Sequence, residues 1–313
     1  MSRYLTQYRD FIMSSPPWYK LIFVLFLIFV FFLFTGIIGL LVVMMSYNLS
    51  LTEVMAVLDN PEASNVAALK LLQIIQTIGL FVCPSFIASF FFGSGVISYL
   101  KMDTRPSFFS VVLVVFIMVI WIPAVNYIAG LNSRLDLPQS LNKLEEEIGA
   151  LRDNYGRLTN LFLDTKSVSD FIVNIIVMAV LPAVGEELLF RGIFQRLFIT
   201  WTRNIHWGII ISSLLFSFFH FEFYGFLPRL LLGMLFGYLF VWTTSIWIPM
   251  LAHFTNNIII VGYYFFRHPV NDASGLDELG TNADIWLWLS LAGGIMLSYL
   301  LFYHEKSRRL SVS

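Results

Sequence analysis

The sequence predicts an all-α protein: a polytopic transmembrane helical bundle of about eight spans with one amphipathic helix outside the membrane. Three observations predict it. Of 313 residues, 58% are hydrophobic, 17% aromatic and only 12% charged, which is far more apolar than a water-soluble domain. Eight apolar runs recur along the chain at lengths suited to a hydrocarbon layer of about 30 Å. The charged residues between them also alternate in sign in the way that membrane loops do.

The first run, 21–45, carries no charge. It is too long for the apolar part of a signal peptide and has no small-residue cleavage site after it, so it reads as a retained first span. Further runs follow at 66–92, broken by Pro84, and at 108–131, 171–199, 207–221, 225–241, 246–266 and 285–303. An even count places both termini on one side. Arg3, Arg9 and Lys20 at one end and Lys306, Arg308 and Arg309 at the other are basic, as are Lys101, Arg105, Arg191, Arg196 and Arg203 in the loops or span ends expected to share that side. The opposite segments 53–62 and 272–284 carry only acids. This pattern predicts an integral multi-pass protein in the lipid bilayer with both termini cytoplasmic.

Between the third and fourth runs, Leu141, Leu144, Ile148, Leu151, Tyr155, Leu158 and Phe162 recur at alternating three- and four-residue spacing, with Glu145, Glu146, Glu147, Arg152 and Asp153 on other faces. That is the stripe of an amphipathic helix, and Asp136, Pro138 and Gln139 supply a start for it. The stripe can pack on the rest of the protein, lie at the interface, or pair with its counterpart in a homodimer.

Composition also excludes some functions. A net charge of −1 with no basic patch interleaved with aromatics argues against nucleic acid as a partner. The single cysteine, Cys83, allows no intrachain disulfide and has no charged or histidine neighbour to make it a reactive thiolate.

The informative stretch is Glu186-Glu187-Leu188-Leu189-Phe190-Arg191, inside an otherwise apolar run. Ionisable groups in such a setting cost several kcal/mol unless paired or wet. On a helix Glu187 and Arg191 stand at i and i+4 and can pair, while Glu186 points about 100° away and stays available. The bland reading is a structural ion pair with a spare glutamate. Two later spans tilt the balance, one ending in Phe216-x-x-x-His220 and another holding His253-x-x-x-Asn257, whose i, i+4 spacing puts both on one face.

These groups suit amide hydrolysis. Glu186 and His220 can position and deprotonate a water while His253 and Asn257 donate to the oxyanion. Equally, Glu186, His220 and His253 are the ligand types of a three-residue Zn2+ site with an open position; no His-Glu-x-x-His is present to decide between them. Ser212, Ser213 and Ser217 lack a nucleophile-elbow setting. The alternative from another class is a transporter or scaffold using the same polar cluster, although no internal repeat is visible.

The three motifs, in this order and at roughly this spacing, resemble those of the CPBP family, the CAAX proteases and bacteriocin-processing enzymes also called the Abi family. Gly185, Gly192, Gly233, Gly237 and the stretch Thr244-Ser245-Ile246-Trp247 agree with it. The resemblance implies an intramembrane endopeptidase acting on a membrane-associated protein or peptide, prenylated at a CAAX end in eukaryotic members. In it Glu186 is the base, His220 assists, His253 and Asn257 form the oxyanion site, and Glu187 and Arg191 support the first motif. It divides the chain into an N-terminal region 1–167 with three spans and the outer helix, a protease-like core 168–268, and a last span with a basic tail 269–313. Straight spans would leave Glu186 near the inner face and His220 about 20 Å along its own span. For the two to meet, either Glu186 lies deeper with its helix continuing to about Ile199, or the His220 span enters only partway and turns at Gly225 and Pro228. Both are expected to contribute, with a water-filled cavity open on the inner side.

Overall fold

A computed structural model describes residues 3–134, 142–165, 167–267 and 279–312. Within them the chain forms twelve helices and no strand: α1 (Arg3–Ser14), α2 (Pro17–Tyr47), α3 (Leu51–Asp59), α4 (Ala63–Phe92), α5 (Val96–Tyr99), α6 (Phe108–Asn132), α7 (Asn142–Leu163), α8 (Val168–Thr202), α9 (Ile205–Phe218), α10 (Phe223–Thr243), α11 (Trp247–Arg267) and α12 (Ile285–Val312). Every one of the eight apolar runs is a helix. Six of these helices (α2, α4, α6, α8, α10 and α12) are long and apolar enough to cross a membrane. The other two are α9, which is short at 14 residues, and α11, which is long enough at 21 residues but diluted by His253, Thr255, Asn256 and Asn257. The polar groups singled out in the sequence are thus what separates α11 from an ordinary span.

Helix boundaries follow local chemistry. Pro17 opens α2 at a position where its missing N–H costs nothing. Ser50 and Glu53 form a reciprocal capping box on α3, and Asn204 Oδ1 accepts from His206 and Trp207 N–H to start α9. Wide π turns interrupt α4 at Ile78–Val82 and α8 at Ile175–Val180 and Phe190–Gln195. The first two are each followed within two residues by a proline, Pro84 and Pro182. A proline inside a helix has no N–H for the carbonyl four residues back and collides with it, and a widened turn relieves the collision.

Helices α2 and α4 cross closely because Gly79 leaves room for Thr35, whose Oγ1 would lie 2.2 Å from a Cβ there. Helix α6 is fastened to α12 at one end by Ser110 Oγ donating to Glu305 Oε1 at 2.5 Å, and farther along by Ser290 Oγ donating to the Ile120 carbonyl at 2.6 Å. Of the amphipathic stripe, Phe162 is buried and Leu158 partly so, in a cluster with Val57, Leu69 and Val177, whereas Tyr155 is exposed. The stripe therefore packs on the body at its C-terminal end. The helix start expected at Asp136–Gln139 lies outside the described residues.

The separation between Glu186 and His220 closes by both of the expected routes. Helix α8 runs on for 16 residues after Glu186, roughly 24 Å at 1.5 Å per residue. It then turns at Arg203, which has a φ of 53°, and α9 returns for 14 residues, or roughly 21 Å. The two arms of this hairpin are nearly equal, so the carboxylate and the imidazole end side by side. Gly208 lets the arms touch, since a Cβ there would fall 2.7 Å from the Ile199 backbone nitrogen and 2.3 Å from its Cγ1. Gly208→Ala is expected to destabilise the fold by about 1–3 kcal/mol, as overpacking does, and to lower the thermal midpoint of the purified protein; an unchanged midpoint would show that the hairpin is not tightly packed there.

Candidate active site

The site is built on α8, α9, α10 and α11. Glu187 is fully buried and its Oε1 accepts from Arg191 Nη1 at 2.9 Å, the i, i+4 pair expected from the spacing. The same oxygen lies 2.9 Å from His253 Nδ1, so Glu187 joins the first motif to the third. A carboxylate can only accept, which assigns the Nδ1 proton to His253 and leaves Nε2 directed elsewhere.

Arg191 has a second anchor, donating from Nη2 to the Gly233 carbonyl at 2.9 Å. Four residues on, Gln195 repeats the contact with the Gly237 carbonyl at 3.0 Å, so α8 and α10 run in matched register. Gly237 permits the approach, since a Cβ there would lie 2.8 Å from Gln195 Oε1 and from Ile209 Cγ2. The guanidinium lies over the rings of Phe216 and Phe236, 4.8 and 5.4 Å from their centroids. These aromatic faces contribute to holding a charge removed from water. Phe236 also stacks on His253 at 5.4 Å, and Phe216 meets His220 edge-on at 4.9 Å. Phe216 stands in the second motif, but nothing in the sequence marked Phe236 as its counterpart.

His220 sits just past the end of α9. Its Nδ1 donates to the Phe216 carbonyl at 2.7 Å, which again leaves Nε2 as the outward nitrogen. The two Nε2 atoms converge on one group: Glu186 Oε2 lies 3.9 Å from that of His220 and 4.0 Å from that of His253. The Glu186 side chain is 13% exposed, and Oε2 is buried without a hydrogen-bond partner among the described residues. Asn257 is directed differently. Its Nδ2 donates to the Met178 carbonyl at 3.0 Å, four residues before Pro182, which has no N–H to offer it. Beside His220, Arg229 Nη2 pairs with Glu222 Oε2, a couple not anticipated from the sequence.

Whether this set suits zinc can be judged from separations. Zinc bonds of about 2.0–2.1 Å in a tetrahedron put ligand atoms roughly 3.3–3.5 Å apart, closer than 3.9 and 4.0 Å. Among the described residues no three His, Cys, Asp or Glu side chains form a metal-holding group. A water bonded at about 2.8 Å to each neighbour would spread them to roughly 4.6 Å at a tetrahedral angle, so the observed spacing lies between the two arrangements.

Comparison with known proteins finds similarity over the stretch that carries these residues. Residues 168–259 match the family model described as type II CAAX prenyl endopeptidase Rce1-like. This segment is thus similar to that family. It holds Glu186, Glu187, Arg191, His220, His253 and Asn257, so the family resemblance read from the motifs is borne out. An uncharacterized protein of Bacillus subtilis (strain 168), YpbD, is similar at 30% identity over 105 residues, covering 32% of this chain and 51% of that protein. The match thus spans about half the length of that relative. No solved structure matches. With six membrane-length helices and an Rce1-like segment, the chain is an integral multi-pass membrane protein.

Proposed function

We propose that the chain is an intramembrane endopeptidase that hydrolyses a peptide bond of a membrane-associated protein or peptide, with CAAX-type lipidated ends as the leading substrate class. One observation carries the reading: an unpartnered buried carboxylate oxygen faces two imidazole Nε2 atoms at 3.9 and 4.0 Å. A water between them donates one proton to Glu186 as it attacks the scissile carbonyl carbon. His220 Nε2 accepts the water's other hydrogen bond and so fixes its orientation. His253 keeps its Nδ1–H hydrogen-bonded to Glu187 and, with a second proton on Nε2, donates from Nε2 to the oxyanion. Asn257, which commits one N–H to Met178, offers the other. Glu186 then delivers the proton to the departing amine, so the proton taken from water leaves with the product.

Arg191 and Glu187 orient the histidine and do not touch substrate in this scheme. By the distribution of basic residues, both termini face the cytoplasm.

The test is turnover of an internally quenched, farnesylated peptide with a CAAX end by the full chain in nanodiscs, beside the same peptide without the lipid. Cleavage that requires Glu186 supports the assignment; no cleavage of any lipidated or membrane-tethered peptide by folded protein would overturn it. Because the donor spacing is wider than zinc coordination, 1,10-phenanthroline is expected to leave the rate within twofold. A tenfold or greater loss restored by Zn2+ would reverse the metal-free reading and retain the peptidase.

A further inference from the structure

A second polar site lies away from the Glu186 cluster. A cavity of about 420 Å3 opens between the start of α2, α5 and the last turns of α8, and is lined by Ser15, Lys20, Phe92, Tyr99, Arg196 and Thr200 among others. Its lining holds two cations and no carboxylate, and among the described residues neither Lys20 nor Arg196 has an ion-pair partner. Arg196 is laid flat on the Tyr99 ring, 4.1 Å from its centroid, and its Nη1 is buried with no hydrogen-bond acceptor among the described residues. Lys20 Nζ uses one donor on the Met13 carbonyl at 2.8 Å and has two more. Tyr99 adds a hydroxyl, whereas those of Ser15 and Thr200 already donate to the Phe11 and Arg196 carbonyls. Burial pushes the Tyr99 hydroxyl above its ordinary value, so it remains a donor.

The surroundings fix the depth. Trp18 and Trp201 flank the cavity in sequence, and Trp207 and Trp247 lie at the same end of the bundle; all four are exposed. Trp side chains gather where hydrocarbon meets headgroups, and basic pockets between helices at that level receive anionic headgroups. A cavity of this size with two cations and no carboxylate matches the several oxygens and negative charge of a phosphate, with Arg196 offering a planar fork and Lys20 a point charge.

We propose that this cavity binds a phosphate-bearing anion, the headgroup of an anionic lipid or free phosphate. The proposal is independent of the peptidase reading. The test uses the full chain in nanodiscs, with retained lipid counted by native mass spectrometry and phosphatidylglycerol, phosphatidylcholine and inorganic phosphate as probes. Phosphatidylglycerol is expected to bind at least tenfold more tightly than phosphatidylcholine. Lys20→Gln/Arg196→Gln should lose at least tenfold of that affinity. Arg105→Gln/Lys306→Gln, which removes equal charge from exposed side chains, should stay within twofold.

Displacement of phosphatidylglycerol by millimolar phosphate assigns the site to free phosphate, and resistance to it assigns the lipid. Equal affinity in wild type and Lys20→Gln/Arg196→Gln, or equal losses in the two double variants, overturns the site. Arg196 also packs on Tyr99, so thermal midpoints in phosphatidylcholine nanodiscs report on folding. Lys20→Gln alone must show at least a threefold loss, and its absence overturns the proposal.

Discussion

Glu186→Gln is expected to lower peptide turnover by at least a thousandfold while leaving the thermal midpoint within a degree or two. General-base catalysis contributes typically 10²–10⁴, and the neutral amide nearly matches the carboxylate in size, so little packing is disturbed. Burial without a hydrogen-bond partner means that folding gains little from this oxygen, and a variant that removes its charge breaks no hydrogen bond. The contrast with Glu187→Gln is diagnostic. That change weakens the contacts to both Arg191 and His253, and should lower stability and activity together. The informative measurement is the pair of quantities, kcat and midpoint, for both variants. Residual turnover in Glu186→Gln within tenfold of wild type would assign the water's proton to another group.

Arg191→Met is expected to be the most damaging single change to stability. It leaves the Glu187 carboxylate buried with its cation gone, a situation that costs about 3–5 kcal/mol, and it removes the donor to the Gly233 carbonyl. For a protein whose total stability is of order 5–15 kcal/mol, that loss is enough to reduce the yield of folded protein from membranes severalfold. Arg191→Lys restores charge without the planar fork that reaches Glu187 and Gly233 at once and lies over two rings, so it should recover only part of the midpoint. Arg191→Met/Glu187→Met removes both charges and should be more stable than Arg191→Met alone, although inactive. If the double variant is the less stable of the two, the cost does not come from an isolated buried charge.

Much of this was legible in the chain because it is local. The apolar runs became helices, since in lipid a helix satisfies its own backbone. The Glu187–Arg191 pair and the shared face of His253 and Asn257 follow from 3.6 residues per turn. What could not be read were contacts between segments far apart. The Gly233 carbonyl meets Arg191 only because Gly237 lets α10 close on α8. Phe236 covers both Arg191 and His253, yet its sequence neighbours say only that it is apolar. Two of the three π turns had a signal in Pro84 and Pro182; its meaning for Asn257 emerges only when the Met178 carbonyl is seen to receive the amide. The direction of that amide differs from a side chain wholly committed to an oxyanion, and spacing alone could not foretell it.

The shortness of α9 has a consequence for the lipid around it. A helix of 14 residues covers roughly 21 Å, some 9 Å less than the hydrocarbon thickness of an average bilayer. Where acyl chains beside it compress to meet its ends, they do so at a modest cost per ångström of mismatch. The resulting dimple would bring headgroups and bulk solvent toward the turn that bears His220. Hydrolysis inside a membrane needs a supply of water, and here thinning of the sheet itself would deliver it.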